Sequence, residues 1–270
     1  MMRRSLIAIL TVGLLISYAG YAQSTKPTAK SKSYPVTVTP SPQRNTEAAR
    51  EWTRLLDTFG LKYVQPDFYP VTQTLRSLSS IQGGLKILTV KPQPKDEVVA
   101  IREAAKRFID RWRELLKANP ETVSLISAEK TNEVYRLRYQ QADYPFPVAG
   151  GFGEMTLVVT SNGLLTQIDD RFIPVVDIPF KPTIERQTAE KRVSGRTFIY
   201  KDVAGRDQQV TISNPQEVSV KGLVILPIEK KDALEIHLAW QIVAGAALTF
   251  TVYLDAIDGT ELRVEQNFRT

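Results

Sequence analysis

The chain has 270 residues, with 35 Lys and Arg against 29 Asp and Glu, a formal charge of +6. That excess lies ahead of residue 45: Arg3, Arg4, Lys26, Lys30, Lys32 and Arg44 all precede the first acidic residue, Glu47, and the rest of the chain is electrically balanced. The charge is therefore no argument for nucleic acid. With no cysteine and one histidine, His237, the composition excludes disulfides, Cys-ligated zinc, iron–sulfur clusters, thiol nucleophiles and a two-His metal site. No cofactor is expected.

Residues 1–22 read as a secretory signal peptide. Arg3 and Arg4 form the positive start, Leu6 to Tyr18 the apolar stretch, and Gly20 and Ala22 the small-residue cleavage site. The apolar run is shorter than the roughly 20 residues that span a bilayer, so cleavage leaves no stable membrane anchor. The product is periplasmic or extracellular. Residues 23–44 hold four prolines, many Ser and Thr, and only basic charges; they read as an extended, poorly ordered linker.

From residue 45 the elements alternate in type. Asn45 or Thr46 starts a helix through Phe59, with Trp52, Leu55, Leu56 and Phe59 at helical spacing and Gly60 as its stop. Gly83-Gly84 marks a turn before a strand over 85–90. Asp96 opens a longer helix whose stripe is Val98, Ile101, Ala105, Phe108, Trp112 and Leu115, ending at Asn119-Pro120. Strands are expected over 123–129, 134–141, 154–160 and 164–170. The third and fourth are joined by Ser161-Asn162-Gly163, whose Asn-Gly tolerates the positive φ of a tight hairpin. Pro174, Pro179 and Pro182 punctuate a connector. Beyond it come a short helix over 184–193 and strands over 196–202, 208–213, 223–229, 234–244, 248–256 and 261–268. The fold class is α+β, with two small domains (45–180 and 181–270), each an antiparallel sheet with a helix packed on one face.

Candidate chemistry is sparse. Strand alternation puts His237 with Glu235, Ala239 and Gln241 on the more polar face, which predicts a solvated sheet-surface histidine rather than a catalytic base. Ser127-x-x-Lys130 has nucleophile spacing but lies on a strand and turn, where the lysine does not sit over the serine. Asp169 and Asp170 are adjacent strand residues and face opposite ways; Asp255, Asp258 and Glu261 read as turn chemistry. Gly150–Gly153 lacks the strand-to-helix context of a phosphate loop. The loop around it carries Tyr144, Phe146 and Phe152 beside Glu154. A Pro/Gly-rich loop lies at the surface, so these four are the candidate partner-binding residues, with a buried core position as the competing fate.

Residues 72–180 resemble the fungalysin/thermolysin propeptide domain. The match runs through TLRSLSSIQGGLKIL, EVVAIREAAKRFIDRWRELL, YRLRYQQ and PFPVAGGFGEMTLVVTSNGLLTQIDDRFIP. Gln140, Pro147, Val148, Gly150, Gly151 and Glu154 stand where that family has its QxYxGxPVxGGE pattern. Tyr144-Pro145-Phe146 lengthens the approach, and Phe152-Gly153 is inserted before Glu154. Residues 183–266 resemble a PepSY domain through Leu238-Ala239-Trp240 and Tyr253-Leu254-Asp255-Ala256-Ile257-Asp258-Gly259, with Asp258 in place of the usual Thr. The resemblance implies a non-enzymatic module that inhibits or chaperones a secreted zinc metalloprotease. No His-Glu-x-x-His occurs, so such a protease is a separate chain. The alternative is a structural or scaffold protein of the cell envelope that uses the same fold without a protease.

Overall fold

The computed structural model describes residues 33–268 except Lys91. The signal-peptide segment 1–22 and linker residues 23–32 lie outside the described residues. Among the described residues no helix is long and apolar enough to cross a membrane.

The chain departs from expectation at once. Val36–Val38 forms β1, and Pro42–Thr58 forms α1. The presumed linker is therefore structured from its last third onward. The helix begins before Asn45 because Pro42 fits the first turn, where its fixed φ helps and its missing N–H is not needed. Trp52, Leu55 and Leu56 are fully buried on its inner face, and the Trp52 Nε1 donates to Val64 O at 2.8 Å.

Asp67–Phe68 (β2) and Leu75–Ser77 (β3) pair as a small ribbon. The strand expected over 85–90 shrinks to Leu85–Lys86 (β4). Glu97–Arg111 (α2) carries the expected stripe, with Ile101, Ala105, Phe108 and Ile109 buried. Two details differ. Val98 and Val99, in the first turn, are exposed. The helix also breaks at Trp112, and Arg113–Leu116 (α3) resumes it before Lys117 turns left-handed at φ 49°.

Val123–Thr131 (β5), Val134–Gln141 (β6), Glu154–Thr160 (β7) and Leu164–Asp170 (β8) complete an antiparallel sheet in the order β4-β8-β7-β6-β5. The β7–β8 turn needs Gly163: its φ is +81°, and a Cβ there would collide with Leu88. Residues of α1, α2 and α3 pack on Tyr135, Leu137, Tyr139, Leu157 and Leu165 to form the first core.

Arg186–Val193 (α4) precedes a second sheet. Thr197–Lys201 (β9) and Asp207–Thr211 (β10) form a separate hairpin. Val218–Lys230 (β11), Ala233–Ala244 (β12), Phe250–Asp255 (β13) and Glu261–Gln266 (β14) join β1 in a five-stranded antiparallel sheet. Ala189 and Val193 of α4 cover Ile236, Leu238, Ile242 and Val252 in the second core. Both sheets thus carry helix on one face, as α+β architecture requires. The described residues, 33–268, cluster as one compact unit that contains both cores.

Candidate functional site

The loop 142–153 leaves the first sheet at the end of β6, lies against the second, and returns to the first at β7. It is pinned at its base by Gln141, whose Nε2 donates to Ile173 O at 2.8 Å and whose Oε1 accepts from Ile173 N at 3.0 Å. Its middle lies along β11: Ile225 N donates to Pro147 O and Ala149 N to Ile225 O, each at 2.9 Å. Gly153 takes φ +73°, and any Cβ there would collide with Val148. The Pro/Gly content that marked this segment as a surface loop is what lets it turn off one sheet and lie down on the other.

The four sequence candidates separate in this geometry. Tyr144 is buried; its hydroxyl donates to Pro174 O at 2.9 Å and accepts from Val176 N at 3.1 Å. Burial raises its pKa. It takes the competing, buried fate, packed in the second core with its hydroxyl bonded to the 174–176 connector. Phe146 is half-buried, edge-on to Phe180 at 6.5 Å between centroids. Phe152 is half-buried against the second core. Glu154 is paired with Arg138 at 2.8 Å across β6 and β7.

Phe152 also walls a cavity of about 200 Å³. Tyr69, Val71 and Leu234 add apolar surface, and Arg171, Lys230, Lys231 and Glu229 are the charged groups of the lining. Tyr69 is held by its hydroxyl on Asp169 Oδ1 at 2.8 Å, and the Arg171 guanidinium lies 5.7 Å from its ring centroid. Burial, then the bond to Asp169 and its charge, push the Tyr69 pKa up to about 12. The cavity draws on the 69–72 turn, the 150–152 loop and the β11–β12 hairpin. These lie far apart in sequence, so no local pattern could have assembled them. It can admit an apolar side chain with a nearby anionic group.

A second constellation was missed in the sequence. His237 is buried, not solvated, because the 33–38 segment lies against β12 beside it. Its Nδ1 is 2.7 Å from Asp255 Oδ2, and its Nε2 has no hydrogen-bond partner, with Glu235 Oε2 at 3.6 Å. The Tyr34 hydroxyl donates to the Asp255 carboxylate, at 3.0 and 3.1 Å to its two oxygens, and accepts from Leu238 N at 3.0 Å. The Tyr34 and His237 rings meet edge to face at 5.9 Å. Burial and the Asp255 charge raise the Tyr34 pKa. Burial works against ionised Asp255, but bonds from His237, Ile257 N–H, Tyr34 and Asp258 N–H outweigh it and hold its pKa below the ordinary value. Among the described residues no serine or threonine hydroxyl is hydrogen-bonded to this histidine. The arrangement can bind a phenol; it is not built as a nucleophile–base pair.

The remaining carboxylates do not converge. Asp170 is fully buried while Asp169 faces Tyr69. Asp258 caps its own turn through Thr260, and Glu261 pairs with Arg196. Among the described residues no group of His, Cys, Asp and Glu side chains is placed to hold a metal ion.

Among solved structures, the chain is similar to the Bacillus megaterium YpeB C-terminal domain, with 12% sequence identity and a TM-score of 0.35 over 85% of this chain and 98% of that one. At that score the likeness carries no weight for mechanism. No family model and no curated protein matches the chain.

Proposed function

We propose that the protein is an exported, non-enzymatic binding module of protease-propeptide type that docks on a separate protein, a secreted zinc metalloprotease, and inhibits or chaperones it. In this reading each sheet with its helix layer is a domain, divided at 180/181, and loop 142–153 of the first reaches onto β11 of the second. The observation that supports it most is Phe152: an aromatic side chain half-buried at a cavity wall, on a Pro/Gly-rich loop that bridges two sheets. Such a position offers apolar contact at a rigid junction, the usual make-up of a binding hot spot. The lining of the cavity is apolar with Arg171, Lys230 and Lys231 against one carboxylate, Glu229, and that net positive rim suits a partner segment that carries an aromatic or aliphatic side chain next to a carboxylate.

The experiment is to mix the purified mature protein with a thermolysin-type protease and follow peptide cleavage. Inhibition with a Kd in the micromolar range or below, about −8 kcal/mol, is the expected result. Digestion of the protein at the rate of an unrelated control, with no slowing of the protease, overturns the inhibitor reading and leaves the envelope-scaffold alternative.

A further inference from the structure

The β12 strand is paired with β11 along one whole edge. On its other edge β13 covers only Ala239 to Ala244. The β13 strand stops at Asp255, where the chain turns: Asp255 Oδ1 accepts from Ile257 N at 2.7 Å, and Gly259 N donates to Asp255 O at 2.9 Å. Residues 234–238 of β12, apart from Leu238 O, which accepts from Ala256 N at 2.8 Å, would therefore be an open half-edge. In this structure it is filled by β1, with Val36 opposite Ile236, Thr37 opposite Glu235 and Val38 opposite Leu234. Val38 is buried and Val36 half-buried against the second core, while Thr37 is exposed. Tyr34 then reaches into a subsite made by the Asp255 carboxylate, the Leu238 N–H and the edge of His237.

This is the geometry by which one protein takes up another's extended segment: backbone pairing for affinity, side-chain subsites for specificity. The occupant here is short and is followed by the Thr39–Ser41 link to α1. The subsite selects a phenol over a plain phenyl ring. A phenylalanine would leave the buried Asp255 carboxylate and the Leu238 N–H each without that partner.

We propose that the 234–238 half-edge of β12, with Asp255 and His237, is a strand-acceptor site with a tyrosine subsite, and that residues 33–38 are a built-in occupant which an extended segment of the protein partner displaces. The matching segment carries a tyrosine two residues ahead of a run rich in β-branched side chains. The proposal rests on the reading of the chain as a binding module and names a second contact for it, separate from the Phe152 cavity. A tethered occupant acts at an effective concentration on the order of millimolar, so it shields the site from loose peptides until it is weakened or outcompeted.

The probe is a labelled synthetic peptide of residues 33–39, Ser-Tyr-Pro-Val-Thr-Val-Thr, titrated against the full mature chain and against its Tyr34→Ala and Val36→Asp variants by fluorescence anisotropy. Both variants are expected to bind it about tenfold or more tightly than the unaltered chain does. The same peptide with phenylalanine in place of tyrosine is expected to bind about tenfold or more weakly. Equal binding by variant and unaltered chains, or equal binding of the two peptides, overturns the proposal. Failure of both variants to fold overturns it too, because a displaceable occupant must leave a folded acceptor behind. No protease enters this assay, so its outcome and that of the inhibition experiment are read independently.

Discussion

Asp170 ends β8 inside the protein with no exposed surface. Its Oδ1 accepts from Phe172 N at 3.0 Å, and its Oδ2 has no partner. The adjacent charge is Asp169, of the same sign, and the Thr74 hydroxyl bonds to the Asp170 backbone carbonyl rather than to its carboxylate. Burial is the largest influence and Asp169 adds to it, so the Asp170 pKa stands well above its ordinary 3.8 despite the Phe172 N–H. The sign of the pH effect follows. Between the ordinary value and the raised one, the folded chain holds a proton that the unfolded chain has released. Stability therefore falls as pH rises through that window, by up to about 1.4 kcal/mol per pH unit. Asp170→Asn removes the titration but keeps the shape. Its amide inherits an unsatisfied position worth about 1–3 kcal/mol, which offsets part of the gain. The expected net result at pH 7 is a variant more stable than the parent, by a margin that grows with pH across the window. Near pH 4 the advantage should vanish or reverse. Urea unfolding at pH 4, 5, 6 and 7 measures it. A variant less stable than the parent at pH 7, or a difference that does not change with pH, refutes the argument.

Phe152→Ala removes a half-buried ring, so it should lower stability by only about 1 kcal/mol while weakening partner binding at least tenfold in the protease assay. Tyr144→Phe leaves Pro174 O and Val176 N without their hydroxyl partner and should cost about 1–3 kcal/mol in urea unfolding, with partner binding by the folded fraction unchanged. Asp255 has the opposite sign to Asp170: its folded pKa is lowered, so its contribution is present above the ordinary 3.8 and lost as pH falls through the folded value. Asp255→Asn should therefore destabilise the chain at pH 7, by a margin that narrows in acid melts below about pH 4.

How far the sequence could be read depended on how local each cause is. The α2 stripe and the β6 alternation are periodic patterns within one element, and both stand in the structure. Asn162-Gly163 specifies its own turn. The Trp112 break was invisible because the apolar stripe continues through it into Leu115 and Leu116. At His237 the strand alternation assigned the face correctly, yet burial depends on what covers that face. The cover comes from Tyr34, 203 positions away, in a stretch whose prolines read as linker. Local composition cannot reveal that Val36–Val38 has an open half-edge waiting for it. The Phe152 cavity was half legible: the loop aromatics were visible, but Tyr69, Arg171 and Lys231 join them only through tertiary packing.

The same long-range ties bear on whether two cores mean two folding units. The first core contains Trp52 and Trp112, the second Trp240, whose Nε1 donates to Ile184 O at 2.8 Å. A boundary at 180/181 would by itself allow the cores to melt separately. Three connections oppose that. The β1 strand sits in the second sheet while α1, three residues on, sits in the first core. The 147–149 stretch hydrogen-bonds to β11. Gln141, at the end of the first sheet, holds Ile173, a member of the second core. Melting one core alone would strand buried backbone groups at each tie, costing about 1–3 kcal/mol apiece. That sum is comparable to the whole stability of an ordinary domain. The expected behaviour is one cooperative transition. Trp240→Phe leaves fluorescence to report the first core, and Trp52→Phe/Trp112→Phe leaves it to report the second. After correction for the stability change of each variant by circular dichroism, the fluorescence and circular-dichroism midpoints in urea should coincide within each variant. A tryptophan signal that moves well before or after the loss of β-structure in the same variant would show that the ties are weaker than their geometry implies, and that each sheet folds alone.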